Sequence, residues 1–247
     1  MPLNFKKKRA AMCFHGQLRQ VKTTYEQYIK PNVIDINKDR WDIDIFVHTW
    51  WDANDVGKGY KVWGRKNVAT TTPVTEDVMD VVFKAYNPKK VLIERQIDFS
   101  HITDQYHPHA ISIIAPVATQ SRHYSMKQCG ILKRKYEEEN NFKYDLVANM
   151  RFDQGIQVPI DFSSFPKGCY NTSPQAWTPT NNVVDSINGY MDSDIYDHMS
   201  ELYDHMDGYW RNEGVEFLCE HLLVHHLNKK NIPINRIEHL THFVLVR

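Results

Sequence analysis

Three polar clusters in this sequence carry residue types that bind anions and move protons, and each follows directly on an apolar run. His15-Gly16-Gln17-Leu18-Arg19 follows Ala10 to Phe14, and His48-Thr49-Trp50-Trp51-Asp52 closes the stretch that begins at Trp41. Arg151-Phe152-Asp153 follows Tyr144 to Met150. In an extended chain Arg151 and Asp153 point to the same side. A carboxylate leaving a buried strand can hold Mg²⁺ or Mn²⁺ against two phosphates, and a neighbouring guanidinium can pair with the same diphosphate. The same spacing also makes a semi-buried Arg–Asp ion pair at a strand end. In the first cluster Gly16 lets backbone approach a ligand, with His15, Gln17 and Arg19 able to hydrogen-bond a base, ribose or phosphate; Gly16 reads equally as a simple turn. In the second, Trp50 and Trp51 offer stacking surfaces beside His48 and Asp52, and at least one of the two tryptophans is expected in the core.

The thirteen histidines invite a metal reading, since His221 and His225 share one helix face. No Glu stands between them in the arrangement of a zinc protease, and phosphate-loop, dinucleotide and nucleophile-elbow glycine patterns are missing.

The elements that must position these clusters alternate between strand and helix. Ala10 to Phe14 reads as a buried strand, Val21 to Ile36 as a helix that Pro31 ends or kinks, and Trp41 to Trp50 as a second strand with Ile43, Ile45 and Val47 alternating. Thr75 to Tyr86 reads as a helix capped by Thr75, Val91 to Glu94 as a strand, and Thr119 to Asn140 as the clearest helix. Strand Tyr144 to Met150 follows, then a loop-like region from Pro159 to Asn182. Helical stretches Ser193 to Met206 and Val215 to Asn228 and a closing apolar run, His242 to Val246, complete the pattern. Ala53 to Thr72 and Asp98 to Pro116 read as long loops, the second a candidate lid or acceptor loop. Strand, helix, strand opens a parallel α/β sheet, in which ligands bind at the carboxyl ends of the strands.

Composition agrees with one α/β domain. The 247 residues are 42% hydrophobic and contain no linker or repeat. Lys plus Arg equals Asp plus Glu at 30 each, so overall charge does not draw the chain to nucleic acid or an anionic membrane. The four scattered cysteines point to reduced thiols in a cytoplasmic protein, and no stretch of about 18 apolar residues offers a membrane span.

Taken in order, His15-Gly16-Gln17-Leu18-Arg19, Asp44-Ile45-Phe46-Val47-His48-Thr49-Trp50, the helix Ser121 to Asn140 leading through Phe142-Lys143-Tyr144-Asp145 into Arg151-Phe152-Asp153, and a late Glu-bearing helix resemble glycosyltransferase-like proteins of large DNA viruses, phages and bacterial polysaccharide clusters. The resemblance implies a GT-A-type fold, mostly parallel and flanked by helices. Residues 1–153 would form mainly the nucleotide-sugar part and 154–247 mainly the acceptor part. It also implies transfer of a sugar from a nucleotide-diphosphate donor to a glycan hydroxyl, with Mn²⁺ or Mg²⁺ held at Asp153, although Arg151 stands where such families usually carry a first Asp. Similar families place an acid near the start of a late helix, where Glu213, Glu216 and Glu220 lie. Glu216 is the expected base, because Gly214 permits a turn and a helix start favours an anion. Asp185, before a glycine turn, is expected to contact the acceptor, with Asp192 and Asp194 as competitors. A non-catalytic carbohydrate- or nucleotide-binding protein and a metal-dependent phosphoryl-transfer enzyme are the alternatives.

Overall fold

The computed structural model describes residues 6–57, 74–99, 115–174 and 184–246. Ala10 through Phe14 have no solvent exposure, as expected of a strand covered on both faces. That strand, β1 (Lys8–Gln17), is central: it pairs in parallel with β2 (Trp41–Trp50) on one side and β4 (Leu146–Arg151) on the other. β3 (Lys90–Glu94) joins the outer edge of β2, also in parallel. Beyond β4 the sheet continues through β7 (Val184–Met191), β6 (Tyr170–Pro174) and β8 (Ile234–Arg236), giving the order β3-β2-β1-β4-β7-β6-β8. Only β7 runs against the rest, antiparallel to β4 and β6. Strands from both halves of the sequence therefore share one mostly parallel sheet. A separate antiparallel ribbon joins β5 (Gln154–Ile156) to β9 (Phe243–Leu245).

Alternation along the strands sorts side chains to two faces. Phe14, Met150 and Phe152 meet Tyr86 and Val33 on one face, where Phe14 and Phe152 stack at 5.6 Å. Burying a side chain such as Phe14 contributes roughly 1.5–3 kcal/mol. This layer is built from two helical runs. In α1, Val21–Thr24 continues through a π-helical stretch, Tyr25–Ile34, into Asp35–Asn37; in α2, Val78–Val81 continues through Val82–Tyr86. Pro31 was expected to end or kink α1, but the helix passes through it. The proline lacks a backbone donor and crowds the preceding turn, and the wider π turn accommodates both.

The opposite face carries Ala11, Cys13, Phe46 and Val147 beneath α3 (Ala115–Asn140), α4 (Ser193–Ser200), α5 (Leu202–Glu213) and α6 (Cys219–Lys229). α3 lies across β1 and β2 and approaches α4 closely: a Cβ on Gly130 would stand 2.5 Å from Ser200 Oγ. It ends at Asn141, whose left-handed φ of 51° turns the chain toward β4. Three expectations need correction. The helix expected from Thr75 begins at Val78, the region read as loop from Pro159 contains β6, and the last helix begins at Cys219 rather than Val215. No helix among the described residues is long and apolar enough to cross a membrane.

Candidate functional site at the switch between β1 and β4

β2 and β3 lie to one side of β1 and β4 lies to the other, so the strand order reverses between β1 and β4. In open α/β sheets the crevice at the carboxyl ends of the strands, at such a switch, is where ligands bind. The first and third sequence clusters meet there, with His15 opposite Arg151 in the register. The cause is local. Phe14 and Phe152 are drawn into the apolar layer, which leaves His15, Arg151 and Asp153 for the other side of the chain.

Asp153 is the centre of the cluster and is only 2% exposed. Its Oδ2 lies 2.6 Å from Arg151 Nη2 and 3.5 Å from Arg19 Nη1. Its buried Oδ1 has no hydrogen-bond partner among the described residues. Arg19 also donates to Gln17 Oε1, which fixes the guanidinium against the β1 turn. A third guanidinium comes from α3, where Arg122 Nη1 stands 3.6 Å from Glu220 Oε1 in the first turn of α6. Cys219 Sγ donates to Thr119 Oγ1 at 3.4 Å and holds the start of α6 against α3.

His15 is 2% exposed, and its Nε2 has no hydrogen-bond partner among the described residues. Burial, reinforced by the positive charges of Arg122 and Arg151, holds its pKa well below the ordinary histidine value, so the imidazole is neutral. Gly16 has φ 103°, and a Cβ there would meet nothing within 4 Å, so the backbone angle and not crowding calls for glycine. Both its backbone groups are tied down: its N–H donates to Ser125 Oγ at 3.1 Å, and its carbonyl accepts from Thr49 Oγ1 at 2.8 Å.

The second cluster sits deeper than expected. His48 is fully buried, with Nδ1 2.5 Å from Ser125 Oγ and Nε2 2.8 Å from Glu94 Oε2. A carboxylate at Glu94 can only accept, so His48 Nε2–H donates to it, and in the neutral ring Nδ1 then accepts from the Ser125 hydroxyl. Burial lowers the His48 pKa while Glu94 opposes the shift, consistent with this neutral tautomer. His48, expected at the nucleotide, is held through Ser125 beside the Gly16 turn. Trp50, expected there too, is 2% exposed and stacks on Tyr124 of α3 at 5.3 Å.

Glu216 also departs from expectation. It precedes α6, outside the first turn, and pairs with His221 Nδ1 at 2.8 Å; the carboxylate that stands beside Arg122 is Glu220. The backbone of Asp185 lies in β7, but its side chain falls outside the described residues. His107 and His109 lie outside them as well. His225 pairs with Glu213, and His226 is buried against Tyr209 and the His198 carbonyl. Arg122, Ser125 and Glu94 are the contributors that sequence reasoning missed.

A divalent ion at Asp153 does not fit these residues. The carboxylate is buried and already faces two guanidiniums, which an arriving dication would have to displace or repel. Among the described residues no group of three His, Cys, Asp or Glu side chains is placed to hold a metal.

Two concavities open elsewhere. One of about 270 Å³ lies at the amino ends of the central strands over Trp41, Phe162 and Phe165, where Lys167 faces Asp145 and Asp192 at 3.9 and 3.7 Å. The other, about 480 Å³, lies along α5 beside His205, Tyr209 and Lys229. In the first, the charges already answer one another. The rim between β1 and β4 brings Arg19 and Arg151 to Asp153.

Fold and site together define an α/β protein with a cluster of arginine side chains and one buried carboxylate at its topological switch. No protein-family model matches the chain, and no curated protein matches it either.

Proposed function

We propose that this protein is a nucleotide-sugar-dependent glycosyltransferase of the GT-A type, passing a sugar from a nucleotide-diphosphate donor to a glycan hydroxyl. The observation that carries the reading is the meeting of Arg19, Arg122 and Arg151 beside neutral His15 at the β1/β4 switch. A leaving pyrophosphate carries the charge such a cluster stabilises as the glycosidic C–O bond breaks. The single reversed strand β7 in an otherwise parallel sheet also agrees with a nucleotide-binding part running into an acceptor-binding part. Gln17, at the end of β1, remains near enough to Arg19 to orient it or to contact the ribose.

In this reading the acceptor oxygen attacks the anomeric carbon, the bond to the diphosphate breaks with its electron pair leaving on phosphate oxygen, and a carboxylate takes the acceptor proton. We assign that carboxylate to Glu220 in place of Glu216, because Glu220 is held to the arginine cluster at the start of α6. Acceptor contact by Asp185 stays part of the proposal.

The test is a panel of UDP- and GDP-sugars assayed for thermal stabilisation and then for transfer or hydrolysis. Stabilisation followed by sugar release supports the enzyme. The burial of Asp153 between two arginines favours a second reading, a binding protein with this fold and no turnover. Stabilisation without consumption of any donor in the panel would select that second reading. No stabilisation by any of them would remove both.

A further inference from the structure

We infer that the rim takes its diphosphate without a divalent metal, with Arg19, Arg122 and Arg151 filling the electrostatic role of the ion; this rests on the diphosphate reading above.

Four observations converge. Asp153 Oδ2 lies 2.6 Å from Arg151 and 3.5 Å from Arg19, so a dication on this carboxylate would sit against two guanidiniums. At 2% exposure the residue is shielded from solvent, whereas Mg²⁺ keeps several waters and demands octahedral geometry. Arg122 brings a third positive charge from α3, partnered at 3.6 Å by a Glu220 side chain that is itself 25% exposed. His15 adds a buried, neutral Nε2 with no hydrogen-bond partner among the described residues, a group able to donate to a phosphate oxygen.

Planar guanidinium forks match phosphate oxygens in pairs, which supplies the geometry as well as the charge. Asp153 then has a different task from a metal ligand. It holds two like-charged side chains together while no ligand is bound, and its negative charge opposes an incoming diphosphate.

The two roles predict opposite effects of one substitution. The full chain is titrated calorimetrically with UDP and with inorganic pyrophosphate, once in EDTA and once in Mn²⁺. The expected dissociation constants agree within about twofold between the two conditions. Arg122→Gln weakens both probes by about tenfold or more in each condition. Asp153→Asn binds both probes in EDTA at least as tightly as the wild type. Where Asp153→Asn fails to fold, the EDTA comparison and Arg122→Gln decide the matter.

Binding that needs Mn²⁺ and disappears in Asp153→Asn overturns the metal-free inference and leaves the diphosphate reading standing. Absence of binding by either probe in either condition overturns both.

Discussion

The two ends of α3 carry two ion clusters of different design. Toward its C-terminal end Lys133 is fully buried and lies 2.9 Å from both Glu137 and Asp197. Lys143 closes the same cluster against Glu137, Asp194 and Asp197, and Arg134 approaches Asp197 at 3.7 Å. Three cations thus face three carboxylates. Burial alone would raise the Glu137 pKa, but hydrogen bonds from Ser193, the Tyr144 N–H and Lys133 outweigh it and hold the carboxyl below its ordinary value. Near its N-terminal end, Arg19 and Arg151 approach Asp153 and Arg122 approaches Glu220, and two buried polar atoms, His15 Nε2 and Asp153 Oδ1, have no hydrogen-bond partner among the described residues. A compensated buried network holds elements together. A buried polar atom without a partner costs stability, and a bound ligand can supply what is missing.

Breaking the compensated end should have the largest effect. Lys133→Met leaves Glu137 and Asp197 without their central cation and should cost about 3–5 kcal/mol in urea unfolding. A loss below about 1 kcal/mol would mean that this end is no more than a screened surface network.

Acid comes next and acts through buried histidines outside the Lys133 cluster. Burial lowers the pKa values of His15 and His48, and of His123 to about 3 and His226 to about 4. The unfolded chain takes these protons near pH 6.5 and the folded protein does not. Stability is therefore present above about pH 6.5 and falls below it, at roughly 1.4 kcal/mol per pH unit for each histidine, until its folded pKa is reached. Unfolding followed from pH 8 to 5 checks this. Added pyrophosphate should soften the loss by raising the His15 pKa, leaving the contribution of His226 unchanged. A flat profile down to about pH 5 would contradict the burial of these rings.

Gly16→Ala isolates the turn at the rim. Nothing blocks the added methyl, but φ 103° is unfavourable for alanine, so the expected cost is about 1–2 kcal/mol. Chemical denaturation measures it. No loss would show that the turn relaxes easily and that the Ser125 and Thr49 hydrogen bonds do not fix it.

Arg122→Gln should change stability least, by less than about 1 kcal/mol, because its pair with Glu220 is partly exposed. A greater loss in the same denaturation experiment would make the arginine structural and blur the contrast between the two ends.

Much of this was legible before the fold was known, and the exceptions have physical causes. The expected bounds of β2, Trp41 to Trp50, match the strand, because its inward residues alternate cleanly. The clusters around Gly16 and Asp153 were recognisable as strand ends, and the sheet order brought them together. β6 was hidden because Tyr170-Asn171-Thr172-Ser173-Pro174 has no apolar alternation. Hydrogen bonds make its burial possible, including those from Asn171 to the Tyr190 carbonyl and from Thr172 to the Asn188 carbonyl. Arg122 and Ser125 carry no local mark inside a long helix, and only the crossing of α3 over β1 and β2 gives them a role. His48 and Trp50 were read as rim residues because they end a strand, yet α3 covers that end through Tyr124 and Ser125. Glu216 and Glu220 differ by one helical turn, a choice that depended on where α6 begins.

The account rests most directly on whether a diphosphate reaches His15. Isotopically labelled histidine side chains, followed by NMR while pyrophosphate is added, report on this without an assay of turnover. A saturating shift at His15 Nε2, with His226 unmoved in its hydrogen bonds to Tyr209 and His198, is the result expected. An unperturbed His15 at pyrophosphate concentrations that saturate binding elsewhere would contradict the placement of the site at the β1/β4 rim.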